Sequence, residues 1–165
     1  MGKMPDRFEI RSAELLSEPE SEQLQGLAAY WQSKCAGRFA PRRADIDPLD
    51  LRVHMPYLFL VDVLPDDEFR YRLMGTALVE GTGRDITGKK LSDLHGTNPG
   101  VMHRLKSRFD QVLRTGKPVF TSGQVYWLGG GEYRRFECGY FPLSEDRKTV
   151  NMILAELFLF WPKRG

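Results

Sequence analysis

The chain has little that would staple, anchor or load it. Only two cysteines occur in 165 residues, Cys35 and Cys138. They lie far apart without metal-ligand spacing, which excludes a disulfide framework and a zinc site; both read as small, reduced core residues. Histidine is scarce as well, with His54, His95 and His103 alone, and no haem-attachment motif accompanies them. The net charge of +2 is too small to argue for nucleic acid as a partner. The most apolar segment, "MILAELFLFW", is interrupted by Glu156 and falls well short of the ~20 residues that cross a bilayer. The N-terminal "MGKMPDRFEIRSAELL" has no apolar run of signal-peptide length, and Asp6 breaks the myristoylation pattern. No membrane insertion is expected, and a cytoplasmic location is. Phosphate-cradling motifs are also missing: the glycines of "GTGRDITG", Gly81, Gly83 and Gly88, have the wrong spacing for either common loop. They read as turn-formers between short helices.

What is present reads as one domain with an appended segment, long enough to bury a core without staples. Residues 1–16 are weakly patterned and are expected to be a weakly ordered arm. A helix is predicted from Pro19 to Ala36, opened by a Ser17/Glu20 capping box and stopped at Gly37. Leu24, Leu27, Trp31 and Cys35 form its apolar stripe. Asp47 and Pro48 then open a short second helix. "YLFLVDV" and "FRYRLMG" read as two strands around an acidic turn. Short helical pieces follow. Then comes one long helix with Val101, Leu105, Phe109, Val112 and Leu113 buried, ended by Gly116. Three strands close the chain: "VFTSGQVYW", "GEYRRFECGYFPL" and "VNMILAELFLF". The expected fold class is α+β, a five-stranded antiparallel sheet with helices on one face and an N-terminal accessory helix.

This order of two strands, a helical middle and three strands resembles a PAS domain. The details are similar to a bacterial family of small stand-alone PAS proteins with a "W…G…P.R.D.DP.DL…MP" lead-in. Here that lead-in is Trp31, Gly37, Pro41, Arg43, Asp45, Asp47, Pro48, Asp50, Leu51, Met55 and Pro56. The similarity continues through "YRLMGT", "GRDITGKKLSDL" and the final hairpin. On this reading 17–49 is an N-terminal helix and lead-in, 50–160 the PAS core, and 161–165 a tail. The resemblance implies a sensory or interaction domain and no reaction.

The candidate ligand pocket between sheet and helices is lined by Tyr71, Leu73, Leu105, Phe109, Tyr126, Phe136, Cys138, Tyr140 and Met152, chosen by strand alternation and by the stripe of the long helix. No cofactor is identifiable. His95 and His103 flank the long helix, but neither carries a haem signature, and neither cysteine has the reactive-helix context of photosensory relatives. An unidentified small molecule is the ligand expected. Asp45, Asp47 and Asp50 read as caps, because Pro48 and Leu49 break the calcium-loop pattern. Arg42, Arg43, Arg134 and Arg135 read as structural charges. No nucleophile–base motif is present, so no enzyme is expected. The partners expected are a second copy of the chain and an unknown signalling protein. The last strand is apolar on both faces and therefore buried on both, and the stripe Leu24, Leu27, Trp31, Cys35 would cover it in its own subunit or in a homodimer. A ligand-free interaction or dimerisation module is the rival reading, with a small enzyme or haem sensor behind it.

Overall fold

The structure is a computed structural model that describes residues 9–94 and 99–160. Its strands are β1 Glu9–Leu16, β2 Leu58–Leu64, β3 Glu68–Met74, β4 Val119–Trp127, β5 Glu132–Leu143 and β6 Met152–Leu159. They pair antiparallel in one sheet of order β1-β4-β5-β6-β2-β3. The sheet has six strands among the described residues, against the five expected. The extra one, β1, comes from the segment read as a loose arm and pairs with β4 along the sheet edge. Its pattern is blurred by a bulge between Ile10 and Ser12. A bulge shifts the alternation by which a strand is recognised.

Helices cover both faces. Helix α1 (Glu22–Cys35) and the lead-in after it lie on one; α2 (Thr76–Thr82), α3 (Leu91–Leu94) and α4 (Pro99–Thr115) lie on the other. The cap of α1 is Ser21, whose hydroxyl accepts from Leu24 N at 3.1 Å. The box expected at Ser17 sits four residues too early, and Pro19 precedes the helix. The helix ends through Ala36 at φ 50° and Gly37 at φ 82°. Asp47 caps the next turn as expected, accepting from Leu49 N at 2.9 Å with Pro48 in first position.

The stripe Leu24, Leu27, Trp31 and Cys35 is buried within its own chain. It packs on the outer sheet face against Leu60, Phe120, Phe141, Leu143 and Leu154, and Trp31 Nε1 donates to Pro142 O at 2.8 Å. Of the two placements expected, the single chain takes the first, with the stripe on its own sheet. Two fully buried carboxylates fasten α1 to the sheet. Glu137 of β5 accepts from Ser21 N (3.1 Å), Ser21 Oγ (2.8 Å) and Glu20 N (3.1 Å). Glu156 of β6 accepts from Gln23 Nε2 at 3.0 Å and pairs with His54 Nδ1 at 2.9 Å.

The β5–β6 loop is organised by Asp146, which accepts from Lys148 N and Thr149 N at 2.8 Å each and from Thr149 Oγ1 at 2.9 Å. These bonds, the one from Thr149 N foremost, hold its carboxyl down to about 2. Folding therefore lowers this pKa, and the native chain binds fewer protons than the unfolded chain between the two values. The resulting stability is present above about pH 4 and lost as the pH falls towards the folded value. Asp146→Asn is expected to flatten the acid limb of stability, read as urea midpoints between about pH 5 and about pH 2. Asp45, held low by Arg42 N and by the Arg38 and Arg42 guanidinium groups, titrates in the same direction and keeps part of the slope.

Candidate ligand pocket

The inner sheet face meets α2, α3 and α4 in a core that holds a cavity partly open to solvent. Phe69 and Phe109 pack with tilted rings at 5.0 Å between centroids, and Phe109 meets Tyr140 edge-on at 6.0 Å. Above them the packing opens into a cavity of about 190 Å³. Strands supply Phe59, Tyr71, Met74, Thr121, Trp127, Phe136, Cys138, Tyr140 and Leu157 to its wall, and the helical side supplies Leu78, Ile86, Leu94, Met102 and Leu105. Ile10 and Ala13 of β1 complete it, so the unforeseen edge strand is part of the site. One glycine of the "GTGRDITG" segment matters here for close approach. A Cβ on Gly81 of α2 would overlap the indole of Trp127, and Leu128 N donates to Gly81 O at 2.9 Å. Gly83 ends α2 at φ 77°, a backbone shape in which glycine is unstrained.

Of the residues expected to line a pocket, Tyr71, Leu105, Phe136, Cys138 and Tyr140 are on the wall. Phe109 lies in the same core and backs the wall. Leu73, Tyr126 and Met152 do not reach it. In β3 a register shift opposite Leu60 and Val61 places Leu73 across from Leu60, in the layer beneath α1, while Tyr71 stays across from Val61 on the inner side. In β4 the inward set is Val119, Thr121, Val125 and Trp127, which leaves Tyr126 outward against the ring of Tyr133 at 5.4 Å. In β6 the inward set is Ile153, Ala155, Leu157 and Leu159, and Met152 packs under α1. A one-residue parity choice decides each of these.

The phenols and the thiol of the wall are neutral. Burial pushes the Tyr71 and Tyr140 phenols well above their ordinary values and the Cys138 thiol up to about 12. A thiol this reluctant to ionise is a poor nucleophile. His103 is exposed on α4, and His95 lies outside the described residues, as does the 161–165 tail. An engineered apolar cavity of about 150 Å³ holds one benzene ring. The present volume suits a ring with a short chain rather than a macrocycle. The purified protein is therefore expected to be colourless, checked by its absorption spectrum after gel filtration; a persistent haem or oxidised-flavin band would contradict this.

Arg84, after α2, and Arg104 and Arg108, on one face of α4, also contribute to the wall, and among the described residues no carboxylate does. Arg84 and Arg104 are exposed, which marks the side where the cavity meets solvent. Arg104 Nη1 donates to Ile10 O at 3.2 Å. Sequence reasoning missed all three and considered Arg42, Arg43, Arg134 and Arg135 instead. Those serve local structure: Arg42 pairs with Asp45, Arg43 Nη1 donates to Ile46 O, Arg134 Nη2 donates to Phe160 O, and Arg135 pairs with Glu20. Asp50 accepts from Tyr30 Oη at 2.9 Å. Among the described residues no cluster of three or more histidine, cysteine or acidic side chains is placed to hold a metal, and no helix is long and apolar enough to cross a membrane.

A family model described as a PAS domain matches residues 19–158. The chain belongs to that family. The PAS domain of BvgS from Bordetella pertussis superposes with a TM-score of 0.52 at 17% identity, over 72% of this chain and 90% of that one. An RNA-binding Light-Oxygen-Voltage receptor superposes with a TM-score of 0.49 at 14% identity, over 90% of this chain and 38% of that one. No curated protein matches. At 17% identity the likeness to the BvgS domain speaks to the fold alone, which is the α+β PAS fold expected, and membership of the family makes the chain a module of a generally sensory kind.

Proposed function

We propose that the chain senses a small, mainly apolar molecule held between the inner sheet face and α2–α4. Occupancy biases how the helices pack on the sheet, and the signal leaves by association with a second copy or with a signalling protein. The single observation that supports this reading is the open-ended apolar cavity at the centre of the PAS fold. A few polar groups, two neutral phenols, a neutral thiol and three arginines among them, complete its lining, as in sites that hold small organic ligands. The bias is a shift between packings that the ligand stabilises unequally. The reading assigns no reaction to the chain and places it in the cytoplasm, apart from nucleic acid. Self-association uses surface other than the α1 stripe, which is consumed within the subunit.

Native mass spectrometry of freshly purified protein tests the reading. The expected spectrum is a two-chain species carrying a small-molecule adduct that collisional activation removes. Leu105→Trp, which fills the cavity from α4, is expected to remove the adduct while leaving the chain folded. Bare protein in both spectra would favour a ligand-free interaction module, and a single-chain species at all concentrations would remove the homodimer.

A further inference from the structure

The arginine mouth says more about the guest than the apolar wall does. Arg108 is half-buried on α4, and its Nε is buried without a hydrogen-bond acceptor among the described residues. A buried donor left unpaired is costly, and a charged one more so. Arg104 lies one turn before it on the same face of the helix, and Arg84 approaches from the loop after α2. None of the three forms an ion pair with a carboxylate among the described residues. Where the chain does pair an arginine with a carboxylate, as Arg38 and Arg42 with Asp45 and Arg135 with Glu20, the pair lies away from the cavity. Three guanidinium groups without an ion pair among the described residues thus border a mainly apolar cavity, Arg84 and Arg104 on its exposed side and Arg108 half-buried.

We propose that the ligand is a monocarboxylate on a compact apolar body, an aryl or short branched-chain acid. Its body lies against Tyr71, Leu105 and Cys138, and its carboxylate lies at the mouth, accepting from Arg108. This rests on the sensing reading above and adds the chemical class of the guest. A guanidinium presents N–H groups in a plane that a carboxylate matches with two oxygens, so one anion beside Arg108 can be held by two bonds. A dicarboxylate fits less well, because the cavity offers no cation at its inner end. Arg84 and Arg104 are exposed and act by attraction over a distance that salt screens.

Isothermal titration calorimetry with 3-phenylpropionate and its neutral amide, 3-phenylpropanamide, tests the assignment. The acid is expected to bind at least roughly tenfold more tightly than the amide, the scale of one hydrogen bond to a charged group. Arg108→Met is expected to weaken the acid by roughly ten- to hundredfold while leaving the amide unchanged, and Arg108→Lys to restore part of the loss. The double variant Arg84→Gln, Arg104→Gln alters only exposed side chains. It is expected to lower the affinity for the acid a few-fold and to reduce its salt dependence, so the assignment stays testable if Arg108→Met does not fold. Equal binding of acid and amide, unmoved by Arg108→Met but abolished by Leu105→Trp, would overturn the anionic class and leave the sensing cavity intact. No binding of either compound to the wild-type chain would also overturn it, and a native adduct would then still uphold the cavity.

Discussion

Leu27→Asp is expected to leave no soluble, folded protein. Leu27 has no exposed surface and lies mid-stripe on α1, against the outer face of its own sheet. A carboxylate there has no partner, and burying it costs several kcal/mol, a large share of a domain's total stability. Leu27→Ala, which removes bulk without adding charge, is expected to remain soluble and to lose roughly 2–5 kcal/mol in urea unfolding. The pair separates two roles for α1. Were the stripe an interface between subunits, the aspartate variant would be a folded monomer by sedimentation and circular dichroism. That outcome would contradict the packing described above.

Glu137→Ala is the second large effect, and it acts through donors rather than volume. The carboxylate is fully buried and takes two backbone N–H groups and the cap hydroxyl at the start of α1. Removing it strands these donors beneath the helix, at about 1–3 kcal/mol for each that stays dry. The expected loss is roughly 3 kcal/mol by urea titration, with faster hydrogen exchange concentrated at the N-terminal turn of α1. Glu137→Gln keeps an acceptor of the same shape and is expected to lose less. If Glu137→Ala left exchange in α1 unchanged, the carboxylate would not be what holds the helix end.

Much of the fold was legible because its signals are local. The stripe of α4, its stop at Gly116, the Asp47–Pro48 cap and the two-sided apolar pattern of β6 each depend on neighbours in sequence, and each appears in the structure. Errors fell where a tertiary fact overrides a local pattern. The segment EIRSAELL has no clean alternation, and it becomes a strand only because β4 offers an edge and a bulge absorbs the mismatch. Period-two counting put Tyr71 and Leu73 on one face, but the irregularity in the β2–β3 ladder separates them. Parity in β4 and β6 is invisible until pairing with β5 fixes it. The mouth was the least legible feature. Arg84 and Arg104 are distant in sequence from Ile10, and only the fold puts them around one opening. A sequence signal did exist for the pair on α4, since Arg104 and Arg108 are four apart on the helix that also supplies Leu105.

The account stands on a cavity between the inner sheet face and the helices that accepts an apolar guest. Benzene is the plainest probe, followed by methyl-resolved NMR of the whole chain. The predicted result is a saturable shift of the methyl signals of Ala13, Leu78, Ile86 and Leu105, which line the cavity. The methyl signals of Leu24, Leu27, Leu143 and Leu154, in the separate layer under α1, are expected to stay in place. Cavity methyl signals that do not move up to the solubility limit of benzene would contradict the account.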